Sequence, residues 1–514
     1  MTVPPKLVLC VIDAMAPAML ERAVAAGEAP TLAALMERGL YVSDCVAAFP
    51  SVTPVCAASI VTGRWQDRHE IPGMSWYHRG ERRYVEYGSS FRASQRVGLA
   101  RQLTDTVYNM NGAHLSKHTP TAFETLDDMG LRTAGTTYLM YRGRHLHEPQ
   151  RDTTLTRIAS TLMRHPVMGP TELFYADIFA SRQTGCRSNL GMPGVRDRHS
   201  GCVGAYMVEH DLFDFLLLSL PDNDWHSHRS GPDGQVRSIA LADIQLARVM
   251  DAAGGLEPFL AEHAVIVMAD HSQAPVTAGV ALVEQLGEFG VLAPGARPNG
   301  RSARAGSAAG GTRGGSRTAH PRIAVCPSQR AAMVYMLDED HPDRLLAQAA
   351  RRALEIEGVE LAMWLERDVH GAPVEGVIAS PERGEMRFCP GGDYEDLRGR
   401  SWDVEGALEA LGAQVRDGRL DTPGHPDALD RVWSALTCSN SGELLLSAAP
   451  GREFADLGGQ AHVGGGSHGS LRGEDSLGAL IVCGLELSHP PEQWAIRDIA
   501  PLVTRHFQAD RRLP

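Results

Sequence analysis

Short apolar runs alternate along this chain with amphipathic stretches and turns rich in glycine or proline. Three of the runs, residues 7–12, 215–220 and 264–269, have the length and composition of buried strands. Continuous apolar runs of this kind are typical of strands that are covered on both faces. Their alternation with helical stretches predicts βαβ units and a largely parallel sheet.

The amphipathic stretches carry the usual signals of helix ends. Residues 30–38 predict a helix that Pro30 opens and Gly39 closes, and residues 17–26 predict another before it. Residues 54–61 predict a third helix, and residues 234–253 a fourth that glycines stop. Together these elements predict one α/β domain over residues 1–514.

Three stretches depart from this alternation. Residues 77–118 mix charged and aromatic residues without a clear period, so we interpret them as an insertion near the functional site. Residues 295–322 are rich in Gly, Ser, Ala and Arg, and such a composition favours a flexible loop. Residues 323–443 alternate again, and they form either the second half of the sheet or a small inserted subdomain.

Polar residues with metal-binding side chains stand at the ends of the apolar runs. The carboxyl ends of buried strands are where open α/β sheets place their active sites. A set of carboxylates and imidazoles without thiolates suits two divalent ions, zinc or manganese, with zinc favoured. The residues are Asp13 after the first run, Asp222 and His226 after the second, Asp270 and His271 after the third, and His468 in a glycine-rich turn.

A hydroxyl group at the start of a predicted helix adds a nucleophile to this set. In the segment Phe49-Pro50-Ser51-Val52-Thr53-Pro54-Val55, a threonine is a good N-cap and proline is favoured at the first helical position. The free amides of a helix N-terminus suit a phosphoryl group. Thr53 is therefore the predicted nucleophile of a phosphoryl transfer, and Ser51 is the alternative.

The motifs and their order along the chain resemble those of the alkaline phosphatase superfamily, within it the type I phosphodiesterase and nucleotide pyrophosphatase branch. The resemblance implies a three-layer α/β/α sandwich with a central, mostly parallel sheet, plus inserted loops or a small cap. It also implies that Asp222, His226 and His468 hold one metal. The other metal would be bound by Asp13, Asp270, His271 and the Thr53 oxygen.

The implied activity is the hydrolysis of phosphoric esters, of the phosphodiesterase or nucleotide pyrophosphatase kind, through a phospho-threonine at a two-metal site. A phosphomonoesterase, a phosphonate hydrolase and a phosphomutase of the same superfamily are alternatives. A sulfatase fits less well, because Cys56 lacks the Pro and Arg pattern that follows the sulfatase cysteine. An inactive metal-binding scaffold is an alternative of another class, and it would have no need for Thr53.

The substrate-binding residues depart from the family pattern. Family diesterases carry Thr-Phe-Pro-Asn-His at the nucleophile and a further Asn that binds a phosphate oxygen, and neither is found here. Replacements for that Asn are Ser75, Asn109 and Asn111, although the two asparagines also fit ordinary turns. Arg142 and Arg144 could clamp phosphate with their planar guanidinium groups, or belong to a solvated loop.

Composition limits the classes of partner and the cellular compartments that we expect for the protein. With 514 residues, 43% of them hydrophobic, the chain can bury a large core. A formal charge of -13 argues against binding of a nucleic-acid polymer and leaves a small phosphate ester as the expected partner. We expect no membrane span, and the sequence makes no prediction of the oligomeric state. Nine scattered cysteines predict reduced thiols and a cytoplasmic protein, as does the start of the chain, which runs directly into the strand before Asp13.

Overall fold

The computed structural model describes residues 6–153, 156–157, 163–295, 321–338 and 340–510. In this part of the chain, an eight-stranded sheet has the order β2-β25-β11-β1-β10-β5-β8-β9. Its central strands β11, β1, β10, β5 and β8 are parallel, whereas β2, β25 and β9 pair antiparallel. The strands of this first sheet are β1 (Lys6–Ile12), β2 (Leu40–Val46), β5 (Thr133–Thr136), β8 (Glu172–Tyr175), β9 (Phe179–Ala180), β10 (Phe215–Leu220), β11 (His263–Met268) and β25 (Leu477–Cys483).

Helices follow most of these strands and cover the sheet. The helices that the structure describes are α1 (Pro17–Ala25), α2 (Pro30–Arg38), α3 (Thr53–Thr62), α4 (Gln66–His69), α5 (Phe91–Val97), α6 (Leu99–Thr104), α7 (Ala122–Asp128), α8 (Arg196–Glu209), α9 (Asp222–Ser230), α10 (Gln235–Asp251), α11 (Leu256–Glu262), α12 (Leu282–Gln285), α13 (Pro342–Leu354), α14 (Ala428–Thr437), α15 (Gly473–Ser476) and α16 (Ile499–Asp510). A π-helix spans Asp105–His114. Short 3-10 turns span Pro232–Gly234, Gly287–Phe289, Leu408–Ala410 and Ile496–Asp498.

The side chains of β1 alternate between two cores, one on each face of the sheet. Val8, Cys10 and Ile12 pack in the core that α1, α2, α8, α10 and α11 cover. Leu7 and Leu9 point to the other face, where α3, α7, α14 and α16 contribute buried side chains. A strand that is buried on both faces must be apolar throughout, which is why its run is continuous. The predicted three-layer α/β/α sandwich is confirmed.

Residues 323–443 and the strand after them build a second, mainly antiparallel sheet. Among the described residues it has nine strands in the order β14-β15-β22-β16-β17-β18-β21-β20, with β19 paired to β18. One face shares the core of α3, and the other packs against α12 and α13. Its strands are β14 (Ile323–Ser328), β15 (Ala331–Met336), β16 (Val359–Arg367), β17 (Pro373–Ser380), β18 (Gly384–Asp396), β19 (Ser401–Gly406), β20 (Gln414–Arg416), β21 (Arg419–Asp421) and β22 (Leu444–Ala448).

Residues 77–118 lie in sequence between β2 and β5 of the first sheet, and they contribute most of a hairpin, α5, α6 and the π-helix. The hairpin of β3 (Ser75–His78) and β4 (Arg83–Glu86) rests on the second sheet, where the rings of Tyr77 and Tyr335 lie 5.8 Å apart. Three further short pairs are β6 (His145–His147) with β7 (Val167–Gly169), β12 (Ala274–Pro275) with β24 (Gly466–Ser467), and β13 (Ala278–Val280) with β23 (Arg452–Phe454).

The predicted flexible loop at residues 295–322 lies, except for residues 295, 321 and 322, outside the described residues. The expectation of reduced thiols needs a correction, because Cys186 and Cys202 form a disulfide with Cα atoms 5.8 Å apart. Disulfides persist mainly in oxidising compartments, so the argument from thiols to the cytoplasm loses its basis. Among the described helices, none is long and apolar enough to cross a membrane.

Candidate two-metal active site

Three neighbouring parallel strands end at the same edge of the first sheet and bring carboxylates to it. Asp13 follows β1, Asp270 follows β11, and Asp224 lies in the first turn of α9, which begins directly after β10. The backbone of Ala14 has a φ of 57° and turns its amide toward Asp270 Oδ1, to which it donates at 3.1 Å. The edge of the sheet thus gathers Asp13 and Asp270, which the apolar runs predicted for it, together with Asp224, which they did not predict.

His271 lies at the centre of this group. Its Nε2 atom is 3.4 Å from Asp270 Oδ2, 3.7 Å from Asp13 Oδ1 and 3.2 Å from Thr53 Oγ1. Asp13, Asp270 and His271 each offer a ligand atom, and these three atoms lie within 4.8 Å of one another. Such a cluster has the size and the ligand types of a divalent metal site.

A second set of ligand atoms adjoins the first. Atoms of Asp224, His271 and His468 also lie within 4.8 Å of one another. Asp224 Oδ1 is 3.5 Å from His468 Nε2, and Asp224 Oδ2 is 3.3 Å from His228 Nε2. The rings of His271 and His468 stack with centroids 3.8 Å apart. We refer to Asp13, Asp224, His228, Asp270, His271 and His468 as the Asp/His cluster.

The histidines of the cluster are oriented by backbone carbonyls. The Nδ1 atom of His228 is 2.8 Å from the carbonyl oxygen of Gly466, that of His271 is 3.1 Å from Ser272, and that of His468 is 2.7 Å from Ser51. A carbonyl oxygen can only accept, so each Nδ1 carries the proton and donates it. The Nε2 lone pairs therefore face the carboxylates, which is the arrangement of metal-binding histidines.

Two buried atoms of the cluster, Asp13 Oδ1 and His468 Nε2, have no hydrogen-bond partner among the described residues. Burial, together with Asp270 and Asp224, raises the pKa of Asp13 well above its usual value. Burial and the neighbouring His271 hold the pKa of His468 well below its usual value. Buried acceptors without donors are costly, and divalent cations would satisfy all of them, so the residues fit two metal ions.

Thr53 is the first residue of α3, and its N-cap is Val52. The prediction of Thr53 as the N-cap is therefore wrong by one position, because its hydroxyl does not bond to the helix and faces His271 instead. The competing hydroxyl of Ser51 is fully buried, donates to the carbonyl of Ser470 at 3.1 Å and accepts from the amide of Gly469 at 3.0 Å. Of the two hydroxyls, only that of Thr53 adjoins the cluster.

Two of the residues predicted to bind metal, Asp222 and His226, are not part of the cluster. Asp222 Oδ1 accepts from the Gly194 amide and from Arg196 Nε, both at 2.9 Å, and His226 packs its ring against Trp225. Residues in an α-helix advance by about 100° each, so a shift of two positions turns a side chain by roughly 200°, to the opposite face. The candidate ligand positions on α9 are therefore Asp224 and His228, which were not predicted from the sequence.

The sequence contains a signal for Asp224 and His228, but the signal is ambiguous. Asp224 and His228 have the same four-residue spacing as Asp222 and His226, because two such pairs overlap in the sequence. Spacing alone cannot choose between overlapping pairs. The choice depends on the phase at which α9 leaves β10, and that phase is set by tertiary packing. In the structure, Asn223 Nδ2 donates to the carbonyl of Asp13 at 2.8 Å and holds this phase.

The predicted replacements for the phosphate-binding Asn do not reach the cluster. Ser75 donates its hydroxyl to the carbonyl of Pro327, and Asn109 donates to Asp105 Oδ1 at 2.7 Å. Asn111 donates to the carbonyl of Leu139 and accepts from two backbone amides. Each of these side chains therefore already donates a hydrogen bond within the fold.

The predicted arginine clamp is likewise bonded elsewhere. Arg142 donates to Glu124 and to the carbonyls of Leu115, Ser116 and Thr119. Arg144 forms ion pairs with Glu124 and Asp128. With its donors used by these partners, Arg142 is a structural residue of the α7 region, and Arg144 belongs to the same network.

Known proteins resemble the chain in sequence pattern and in fold. The family model described as type I phosphodiesterase / nucleotide pyrophosphatase matches residues 7–370. No curated protein sequence matches the chain. Phosphonoacetate hydrolase from Sinorhizobium meliloti 1021, in complex with phosphonoformate, superposes with a TM-score of 0.55 and 16% identity over 98% of both chains. Human ectonucleotide pyrophosphatase / phosphodiesterase 5 superposes with a TM-score of 0.54 and 10% identity over 98% of this chain and 95% of its own. At these identities the likeness shows the fold.

Proposed function

Because the chain belongs to the type I phosphodiesterase / nucleotide pyrophosphatase family, we propose that it hydrolyses phosphoric esters at a two-metal site with Thr53 as nucleophile. The observation that carries the proposal is the position of the Thr53 hydroxyl, 3.2 Å from His271 Nε2 at the centre of the Asp/His cluster. A hydroxyl beside two overlapping ligand sets is the arrangement that a metal-activated nucleophile requires.

The proposed ligands divide the cluster into two sites. Asp13, Asp270, His271 and the Thr53 oxygen would hold one ion, and Asp224, His228 and His468 the other. Ligand sets of this type accept zinc or manganese. When bound, the two ions would lower the pKa of the Thr53 hydroxyl and neutralise charge on the phosphoryl oxygens.

The chain's own residues then carry two displacements. Thr53 Oγ1 gives up its proton and forms a bond to phosphorus while the bond to the leaving oxygen breaks, and that oxygen departs with the electron pair and takes up a proton. The product of the first step is a phospho-threonine. Water then gives up a proton and attacks phosphorus, the bond to Thr53 Oγ1 breaks, and Oγ1 takes up a proton to restore the hydroxyl. A diester substrate leaves as an alcohol and a phosphate monoester.

The proposal is tested with metal-reconstituted protein on bis-p-nitrophenyl phosphate, p-nitrophenyl phosphate and phosphonoacetate. We expect the diester to react fastest and Thr53→Ala to lose at least about 1,000-fold in rate, as losses of nucleophiles do. Thr62→Ala, at the other end of α3, is the matched control and keeps its activity. Faster cleavage of the monoester or of phosphonoacetate would assign a phosphatase or a phosphonate hydrolase instead, and silence on all three would favour a phosphomutase or a scaffold.

A further inference from the structure

A phosphoryl group at the Thr53 hydroxyl needs hydrogen-bond donors, and the protein offers few of them. The amides at the start of α3 are mostly used or missing. Pro54 has no N–H, and the amides of Val55 and Cys56 both bond to the carbonyl of Val52, at 3.0 Å. The helix N-terminus therefore supplies less than its position predicts, and a side-chain donor must come from another element.

Tyr138 is carried to this edge of the sheet by its strand. It stands two residues beyond the end of β5, which lies beside β10 and runs parallel to it. The loop after β5 therefore leaves the sheet at the same edge as Asp13 and Asp224. Thr137 turns the backbone there with a φ of 57°. Parallel neighbours end together, so Tyr138 belongs to the row of strand ends that builds the site.

The hydroxyl of Tyr138 is buried and has no hydrogen-bond partner among the described residues. The side chain is only 5% exposed, and it belongs to the same core cluster as Val52 and Val55. Two comparably buried tyrosines are bonded: Tyr84 donates to the carbonyl of Leu292 at 2.7 Å, and Tyr335 donates to that of Asn440 at 2.7 Å. A buried hydroxyl without a partner is unfavourable unless a ligand completes it.

The surroundings keep this hydroxyl protonated. Burial, together with the charges of Asp270, Cys56 and Asp13, raises the pKa of Tyr138 well above its usual value. A phenol in this state keeps its proton at neutral pH and can donate a hydrogen bond. The charges that raise this pKa belong to the Asp/His cluster and to the first turn of α3, so the phenol lies near both.

We propose that the Tyr138 hydroxyl donates a hydrogen bond to a non-bridging oxygen of the phosphoryl group that Thr53 attacks. This inference rests on the proposed function and adds a substrate-binding residue to it. Tyr138 thus supplies the donor for which Ser75, Asn109 and Asn111 proved to be unavailable. The ligand it fits is a tetrahedral oxyanion, a phosphate ester or inorganic phosphate.

Tyr138→Phe is the test, because it removes only the unpartnered hydroxyl. We expect kcat/KM on bis-p-nitrophenyl phosphate to fall by about 100-fold, as it does when one preorganised oxyanion donor is lost. The melting temperature does not fall and the metal content stays unchanged, because the hydroxyl bonds to none of the described residues and is unfavourable without a ligand. The stabilising shift in melting temperature that inorganic phosphate causes in the parent protein becomes smaller in the variant.

Tyr84→Phe is the matched control. It removes a bonded hydroxyl from an equally buried tyrosine, so it lowers the melting temperature and leaves kcat/KM and the phosphate shift unchanged. Full activity of Tyr138→Phe, or loss of metal from it, would overturn the inference. If Thr53→Ala is inactive while Tyr138→Phe is fully active, only this inference fails. If Thr53→Ala keeps its activity, the proposed function fails first.

Discussion

Two buried polar clusters lie next to each other in this protein and differ in how their atoms are satisfied. The Arg330 cluster consists of Arg330 and Asp475, both fully buried, with their bonding partners. Arg330 donates to Asp475 Oδ1 and to the carbonyls of Ala449 and Arg452, and Asp475 Oδ2 accepts from the amide of Ser470 at 2.8 Å. The Asp/His cluster instead leaves Asp13 Oδ1 and His468 Nε2 without partners.

The difference indicates that the Arg330 cluster stabilises the fold, whereas the Asp/His cluster is suited to bind a ligand. Charges are balanced in the Arg330 cluster, so it can be buried without a ligand. The Asp/His cluster brings three carboxylates together with imidazoles, so bound cations would balance its charge. The two are also joined, because the amide of Arg330 donates to the carbonyl of His468 at 2.9 Å and the carbonyl of Asp475 accepts from the amide of Ser272 at 2.9 Å. The satisfied cluster therefore holds the loops of the unsatisfied one.

The largest expected effect comes from breaking the Asp/His cluster at α9. Asp224→Asn replaces a charged ligand with a neutral amide, so we expect the variant to lose one metal ion and more than about 100-fold in activity. Loss of a residue that only orients a ligand usually costs about 10- to 100-fold. Asp222→Asn, two residues away and bonded to Arg196, keeps both ions and most of the activity. Metal analysis and diester hydrolysis measure both. Equal losses in the two variants would contradict the ligand assignment.

Breaking the Arg330 cluster should cost stability. Arg330→Met leaves the carboxylate of Asp475 buried and unpaired, which we expect to lower the free energy of unfolding by about 3–5 kcal/mol. Arg22→Met is the control, since the Arg22–Asp233 pair is 55% and 85% exposed and should contribute at most about 1 kcal/mol. Urea unfolding of both variants measures the difference. Similar costs would show that burial of the pair does not matter.

Glu86 lies between these two cases, because only one of its two carboxylate oxygens has a hydrogen-bond partner among the described residues. Its Oε1 accepts from the amides of Gly88 and Ser89, whereas Oε2 has no partner among the described residues. Burial raises the pKa of Glu86 to about 7 from its ordinary value of 4.5. The folded state therefore holds this proton more tightly, and stability is lost as the pH rises between these two values.

Glu86→Gln should remove this loss of stability at rising pH, because glutamine has no proton to release. The difference of about 2.5 pKa units corresponds to about 3 kcal/mol, so the variant gains up to that amount over the parent above pH 7 and little near pH 4.5. Urea unfolding of both proteins across this pH range is the measurement. Parallel pH profiles of the two proteins would contradict a buried, protonated Glu86.

The smallest effect concerns the Asp/His cluster without metal. In chelated protein, Asp13→Asn removes one of three carboxylates that repel one another, so we expect a gain of roughly 1 kcal/mol in stability. In metal-loaded protein the same change removes a ligand and lowers the stability. Thermal unfolding with and without a chelator shows whether the sign reverses. The same sign in both states would mean that Asp13 does not bind metal.

The fold could be read from the sequence because its strands are covered on both faces. The runs at β1, β10 and β11 are continuously apolar, and the helix predicted at residues 30–38 is observed as Pro30–Arg38. The second sheet could not be read in the same way. Its strands β14, β15 and β22 are buried throughout, whereas β18 and β19 mix buried and exposed positions. The order of the strands depends on pairings between distant segments, such as β15 with β22.

Some residues of the candidate site can likewise be predicted from the sequence, and others cannot. Asp13, Asp270 and His271 follow strands directly, so strand topology alone brings them together as predicted. Asp224 depends on the phase of a helix, which spacing does not encode. Tyr138 depends on the absence of a hydrogen-bond partner, and only the folded structure contains that information.

The central claim is that the Asp/His cluster holds two metal ions. Equilibrium dialysis against zinc or manganese, followed by elemental analysis, tests it most directly. The account predicts two ions per chain in the parent protein and in Thr53→Ala, with hydrolysis only in the parent. One ion or none in a fully active parent protein would contradict it.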